Sequence, residues 1–168
     1  MLSSIGRIQC EANAAQVKWH AERTVMSLSF SCLRQWMLPS LLRVEAASSR
    51  AFYPHRLFEA GDVAIPDLGH ELGSRTETVL GAVIAHATAH FSEIHSCLDV
   101  LFYHLGKEYT LEPLPHPSFL EGRAGKIVVS GHMLGVIGEV HPEVLERWQI
   151  GVPVVAFDIN LSQLIEHQ

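Results

Sequence analysis

Residues 126–140 alternate as strands do. Residues 126–129 end in a β-branched run, Ser130-Gly131 carries a turn signal, and residues 133–140 alternate small and large side chains. Two strands joined by a tight turn are predicted, and so short a turn forces them antiparallel. His141-Pro142-Glu143 then opens a short helix. Proline has no amide hydrogen to leave unpaired at the first helical position, and Glu143 and Glu146 suit the positive N-terminal end. Upstream, Leu38, Leu41, Leu42 and Glu45 fall at helical spacing, with Pro39 in the first turn and Tyr53-Pro54 as the break. Residues 56–63 are a strand into a turn, IPDLGHELGSR is a loop, and residues 76–85 are a buried strand. Residues 91–105 put Ile94, Leu98, Leu101, Phe102 and Leu105 on one helix face, with Gly106 at the C-cap. YTLEPL is a short strand, residues 153–161 another buried one, and SQLIEH a last helical turn. Near the start, MSLSFS alternates as a strand would, and QVKWHAER fits a strand or a helical turn.

Consecutive strands with tight turns, not strands alternating regularly with helices, predict an α+β domain: an antiparallel sheet with helices on one side. At 168 residues the chain is long enough to bury one core, and it holds no repeat or internal linker.

Charge is uneven along the chain. Residues 1–56 hold seven Lys/Arg and three Glu (+4), whereas residues 57–168 hold five Lys/Arg and fifteen Asp/Glu (−10). The acidic body argues against non-specific nucleic-acid binding, which needs a basic footprint; the basic N-terminal third suits an acidic partner or simple solvation. Cys10, Cys32 and Cys97 are odd in number and far apart, so neither a disulfide framework nor a zinc knuckle is expected. With no apolar run long enough to span a bilayer and no apolar leader at the N-terminus, a reducing, cytoplasmic compartment fits.

Chemistry-bearing motifs are sparse. His86 and His90 stand four apart with Glu93 beyond, but no glutamate occupies the position a zinc hydrolase would use as base. Ser118 and Ser130 lack a nucleophile elbow. Gly135-Val-Ile-Gly138 lies within a hairpin, not at a strand-to-helix phosphate turn. Arg123, between Gly122 and Ala124-Gly125, suits either an anion or an ion pair with Glu139. No metal site is expected.

Four blocks, in order, carry a family resemblance: SCLRQWMLPSLLR (31–43), YPHRLFEAGDV (53–63), HPSFLEGRAGKI (116–127) and GVIGEVHPEVLERWQIGVPVVAFDINL (135–161). Together they resemble the C-terminal catalytic-like module of the β subunit of phenylalanyl-tRNA synthetase, archaeal/eukaryotic type. The likeness covers residues 25–168; residues 1–24 align only loosely. Met26-Ser27 stands where the family's Asn-Pro is expected, and the other domains of a complete β subunit are absent.

The resemblance implies a class II synthetase fold. A working site of that class needs arginines for the ATP phosphates, one on a strand-loop-strand and one opening the last helix. Here Arg56 precedes Glu59 on the first strand, while the helix after the hairpin opens with acidic His141-Pro142-Glu143. The residues Arg56, Glu59, Gly122, Arg123, Gly138, Glu139, His141 and Pro142 are therefore family-motif positions with structural roles. The implied function is a non-catalytic module supporting assembly with a catalytic α subunit. It would carry no cofactor, with ATP and magnesium only in the assembled enzyme and tRNA met only through the full complex. Leu33, Arg34, Trp36, Leu38, Leu41 and Leu42 fall where the class has its dimer-forming motif and are expected at the subunit interface; exposed in the lone chain, that patch invites self-association. The alternative is a stand-alone domain that binds a small molecule.

Overall fold

In the computed structural model, residues 33–48, 50–70 and 73–166 are described. The strand expected at MSLSFS, the QVKWHAER segment, Cys10 and Cys32 lie outside them. Residues 36–168 form one compact unit.

Its elements run α1 (Leu38–Ala47), β1 (His55–Pro66), β2 (Ser74–Ala85), α2 (Phe91–Leu105), β3 (Thr110–Pro113), β4 (Phe119–Val129), β5 (His132–Val140), α3 (Pro142–Trp148), β6 (Val154–Asn160) and α4 (Leu161–Glu166). The six strands form one antiparallel sheet in the order β1-β2-β6-β5-β4-β3. Each element expected within the described residues is present. Ser130 and Gly131 turn the β4–β5 hairpin with φ of 51° and 82°, the left-handed pair such a turn requires. Gly106 caps α2 in the left-handed conformation.

The helices do not sit on one side of the sheet. β6 is buried at six consecutive positions, so both its faces need cover. Val154 and Ala156 join Leu38, Leu41, Leu42 of α1 and Leu145 of α3 in one core. Val155, Phe157 and Ile159 join Ile94, Leu98, Phe102 of α2 and Leu164 of α4 in the other. The result is three layers.

Two glycines make the close approaches possible. A Cβ on Gly81 would stand 2.7 Å from Met37 Cβ, so α1 can lie against β2 only because that position is bare. At Gly135 a Cβ would stand 2.1 Å from the carbonyl oxygen of Asp158, inside the β5–β6 ladder. Gly81→Ala is expected to cost about 1–3 kcal/mol by denaturant unfolding, as overpacked cores do. Gly135→Ala strikes backbone that cannot step aside, and should abolish the cooperative transition; ordinary stability would contradict this packing.

Candidate functional site

The helix α1 carries most of the residues expected at a subunit contact. Leu38, Leu41 and Leu42 are only 2–3% exposed, packed with Met37 in the chain's own core near Val63, Val79 and Val83. The expectation that these leucines face a partner is corrected: a helical apolar stripe says that a face is buried, not what buries it. Trp36 is half-buried, its ring 5.6 Å from His116 and 6.5 Å from Phe119. Leu33 and Arg34 lie outside the compact unit formed by residues 36–168. What α1 leaves exposed is Arg43, Val44 and Ala47.

Polar groups hold α1 in place. At its entry the Met37 N–H, with no intrahelical partner, donates to Asp158 Oδ2 at 2.6 Å. In its third turn Glu45, 1% exposed, accepts from His55 Nδ1 at 2.9 and 3.0 Å. An ionised carboxylate only accepts, so Nδ1 carries the proton; Nε2 is buried with no partner among the described residues. The Tyr53 ring lies 4.2 Å from that of His55. Burial, with the charge of Glu45 and a hydrogen bond to it, raises the Tyr53 pKa. Glu45, His55 and Asp158 were not singled out by sequence; the one signal was a glutamate on an otherwise apolar stripe.

A second polar group surrounds the start of α2. Glu139 accepts from the Phe91 N–H, the helix's first, and from Arg123 Nη1, each at 2.9 Å. Arg123 thus makes the ion pair with Glu139 that its neighbours suggested. Gly122, at φ 73°, takes the left-handed turn where five positions of β4 span two of β5, just before Arg123. Glu93 accepts from His86 Nε2 at 2.7 Å and meets Arg56 Nη2 at 3.6 Å. Burial alone would raise the Glu93 pKa, but the hydrogen bonds and charges of His86 and Arg56 outweigh it and hold the carboxyl below its usual range. His90 takes the Thr88 carbonyl instead. Glu59 lies half-buried on β1, opposite Gly81. Gly138 leaves room for Phe119, whose ring would be 2.8 Å from a Cβ there. His141 caps α3, Nδ1 accepting from the Glu143 N–H at 3.2 Å, and Pro142 fills the first position.

The last described helix is α4, after β6, not the helix opening at His141. It begins Leu161-Ser162-Gln163, without arginine. Its polar residues are engaged: Ser162 Oγ accepts from the Thr78 N–H at 2.9 Å, and Asn160 and Gln163 donate to the buried carboxylate of Glu77. Glu77 also takes Arg75 Nε at 2.7 Å. The strand-loop-strand β1–β2 therefore offers two arginines, Arg56 and Arg75, and each is paired with a glutamate. Beside Arg56 a shallow cavity of about 360 Å³ is lined by Tyr53, Pro54, His86, Thr88 and Glu93.

A six-stranded antiparallel sheet between helical layers is the class II aminoacyl-tRNA synthetase fold. The solved structure of Desulfitobacterium hafniense PylSc, a pyrrolysyl tRNA synthetase, matches with a TM-score of 0.62 over 80% of this chain and 48% of that one, at 20% identity. Residues 16–161 match the family model of the phenylalanyl tRNA synthetase beta chain CLM domain. Phenylalanine–tRNA ligase beta subunits are similar in sequence: 44% identical in Pyrococcus horikoshii over 84% of this chain and 26% of that one, and 43% in Thermococcus kodakarensis over 83% and 24%. The chain belongs to the phenylalanyl-tRNA synthetase β-chain CLM-domain family. It spans about a quarter of the length of these relatives.

Two expectations test the polar groups. Glu139→Ala should cost about 1–3 kcal/mol in urea unfolding, because it orphans the Phe91 N–H, whereas Arg123→Ala, removing a largely exposed partner, should cost less than about 1 kcal/mol. Equal costs would mean that the ion pair, not the helix cap, is what matters.

His116 supplies a pH dependence. Burial beside Trp36 and Phe119 lowers its pKa, and Nδ1 already accepts the Ser118 N–H at 3.2 Å. A lowered folded pKa means that the unfolded chain binds the proton first, so stability is full above the ordinary histidine range and falls as pH drops through it. Thermal melts from pH 7.5 to 5.5 should show that fall, and His116→Phe should flatten the slope whatever it does to the absolute Tm.

Proposed function

We propose that this chain is a non-catalytic, catalytic-like module of a phenylalanine–tRNA ligase β subunit, and that it supports assembly with the catalytic α subunit. The assembled enzyme would charge tRNA with phenylalanine at the expense of ATP. One observation carries the non-catalytic reading: both arginines of β1–β2 are spent on Glu93 and Glu77, and no arginine opens α4. The two guanidiniums also stand at opposite ends of the β1–β2 ladder, at Arg56↔Ile84 and Ile65↔Arg75, so they cannot converge on one triphosphate as phosphate binding demands. ATP and magnesium then belong to the α subunit, and tRNA is met through the whole complex. Family membership supports the α subunit as partner and the cytoplasm as location. Among the described residues no helix is long and apolar enough to cross a membrane.

Assembly would use the outer side of α1 and its surroundings, since its leucines are already buried. The reading is tested by mixing the chain with the α subunit from the same organism. Analytical ultracentrifugation should show a complex, while calorimetry with ATP and magnesium should show no binding to the chain alone. Micromolar ATP binding by the lone chain would favour the stand-alone small-molecule domain instead.

A further inference from the structure

The connection between α1 and β1 presents an aromatic side chain that the described residues do not cover. Phe52 is 99% exposed. Its backbone is nevertheless fixed on both sides. The Ala51 N–H donates to the Ser48 carbonyl at 2.8 Å, and Ser48 Oγ donates to the Val44 carbonyl at 2.8 Å, tying the loop to the end of α1. On the other side the Tyr53 ring rests on His55, which the buried Glu45 holds. A rigidly presented aromatic loses little freedom on binding, which is what makes such residues binding anchors.

The surroundings say what kind of surface would accept it. From Arg43 to Pro54 the exposed residues include Arg43, Val44, Ala47, Arg50 and Ala51, but no exposed carboxylate, because the one acid in the stretch, Glu45, is buried. Residues 57–168 carry a net charge of −10, so this cationic, apolar spot stands out from the body. Aromatic residues and arginine are the types enriched in interface cores. Nucleic acid and anionic membrane both require many more cations than two on a chain of net charge −6.

We propose that Phe52 is the anchor of a protein-docking knob, and that it fits an apolar socket rimmed by carboxylates on the α subunit. This rests on the assembly reading above and adds to it the residue on which the contact turns. Phe58 provides a matched control: it is 80% exposed on β1, but shares its strand face with the carboxylate of Asp62.

The affinity of the chain for the α subunit is measured by titration for the wild type and for Phe52→Ser, Arg50→Glu and Phe58→Ser. Phe52→Ser should weaken the complex by at least about 30-fold, as loss of a hot-spot anchor does. Arg50→Glu should weaken it by about 10-fold, more at low salt, and Phe58→Ser by less than about threefold. Melting temperatures should not move, since neither phenylalanine is buried. A complex as tight with Phe52→Ser as with the wild type, or equal losses at Phe52 and Phe58, would overturn the knob and leave the assembly reading intact. No complex with the wild type would overturn both. Phe52-dependent binding of the lone chain to phosphatidylserine vesicles or to tRNA would show that the loop serves another class of partner, and would also overturn it.

Discussion

The hydrogen bond from the Met37 N–H to Asp158 fixes how everything on one face of the sheet is arranged. A helix begins with N–H groups that have no partner of their own, and a buried carboxylate is costly unless something donates to it. Each solves the other's problem. The contact joins residues 121 positions apart, so the centre of the sheet, β6, dictates where α1 starts. Bare Gly81 then lets the helix lie close enough for Leu38, Leu41 and Leu42 to reach the core. Glu45 and His55 repeat the device at the far end, tying the third turn of α1 to the start of β1.

The same economy explains why the run from Gly135 to Pro142 is so distinctive. Gly135 has the Asp158 carbonyl where a Cβ would be, and Gly138 has Phe119. Glu139 caps α2 from across the sheet, and His141 caps α3 through its own ring while its N–H donates to the Ser118 carbonyl at 2.9 Å. Pro142 occupies a position where an N–H would be wasted. A motif this specific is often taken to mark chemistry, yet here each residue type follows from a local steric or hydrogen-bonding demand.

Most of the fold was legible in the chain's periodicities, because strands and helices bury apolar residues at characteristic spacings. The β4–β5 hairpin, α2 and its glycine cap needed only local chemistry. Two things were not legible. The first was which layer each helix joins: β6 reads as a continuous apolar run whether one face or both are covered, and only the split between Ala156 and Phe157 reveals two cores. The second was the destination of the α1 leucines, since a stripe facing a partner and a stripe facing the sheet have the same spacing. The pairing of Arg123 with Glu139 could be anticipated from small neighbours. The pairings of Arg56 with Glu93 and Arg75 with Glu77 could not, because the first depends on where α2 docks and the second on a carboxylate buried by α4.

On the proposed non-catalytic reading, those two pairs bear on how a synthetase fold can persist without synthetase chemistry. An active site keeps cations unsatisfied so that a phosphate can satisfy them, and that readiness costs stability in the empty protein. Giving each arginine a carboxylate reverses the trade. Glu93 stays ionised between His86 and Arg56, and Glu77 gathers Arg75, Asn160 and Gln163 around a buried charge. The two pairs brace opposite ends of the β1–β2 ladder. On the proposed assembly reading, rigidity of this kind is what a surface presented to another subunit needs, because a preorganised surface loses little freedom on binding.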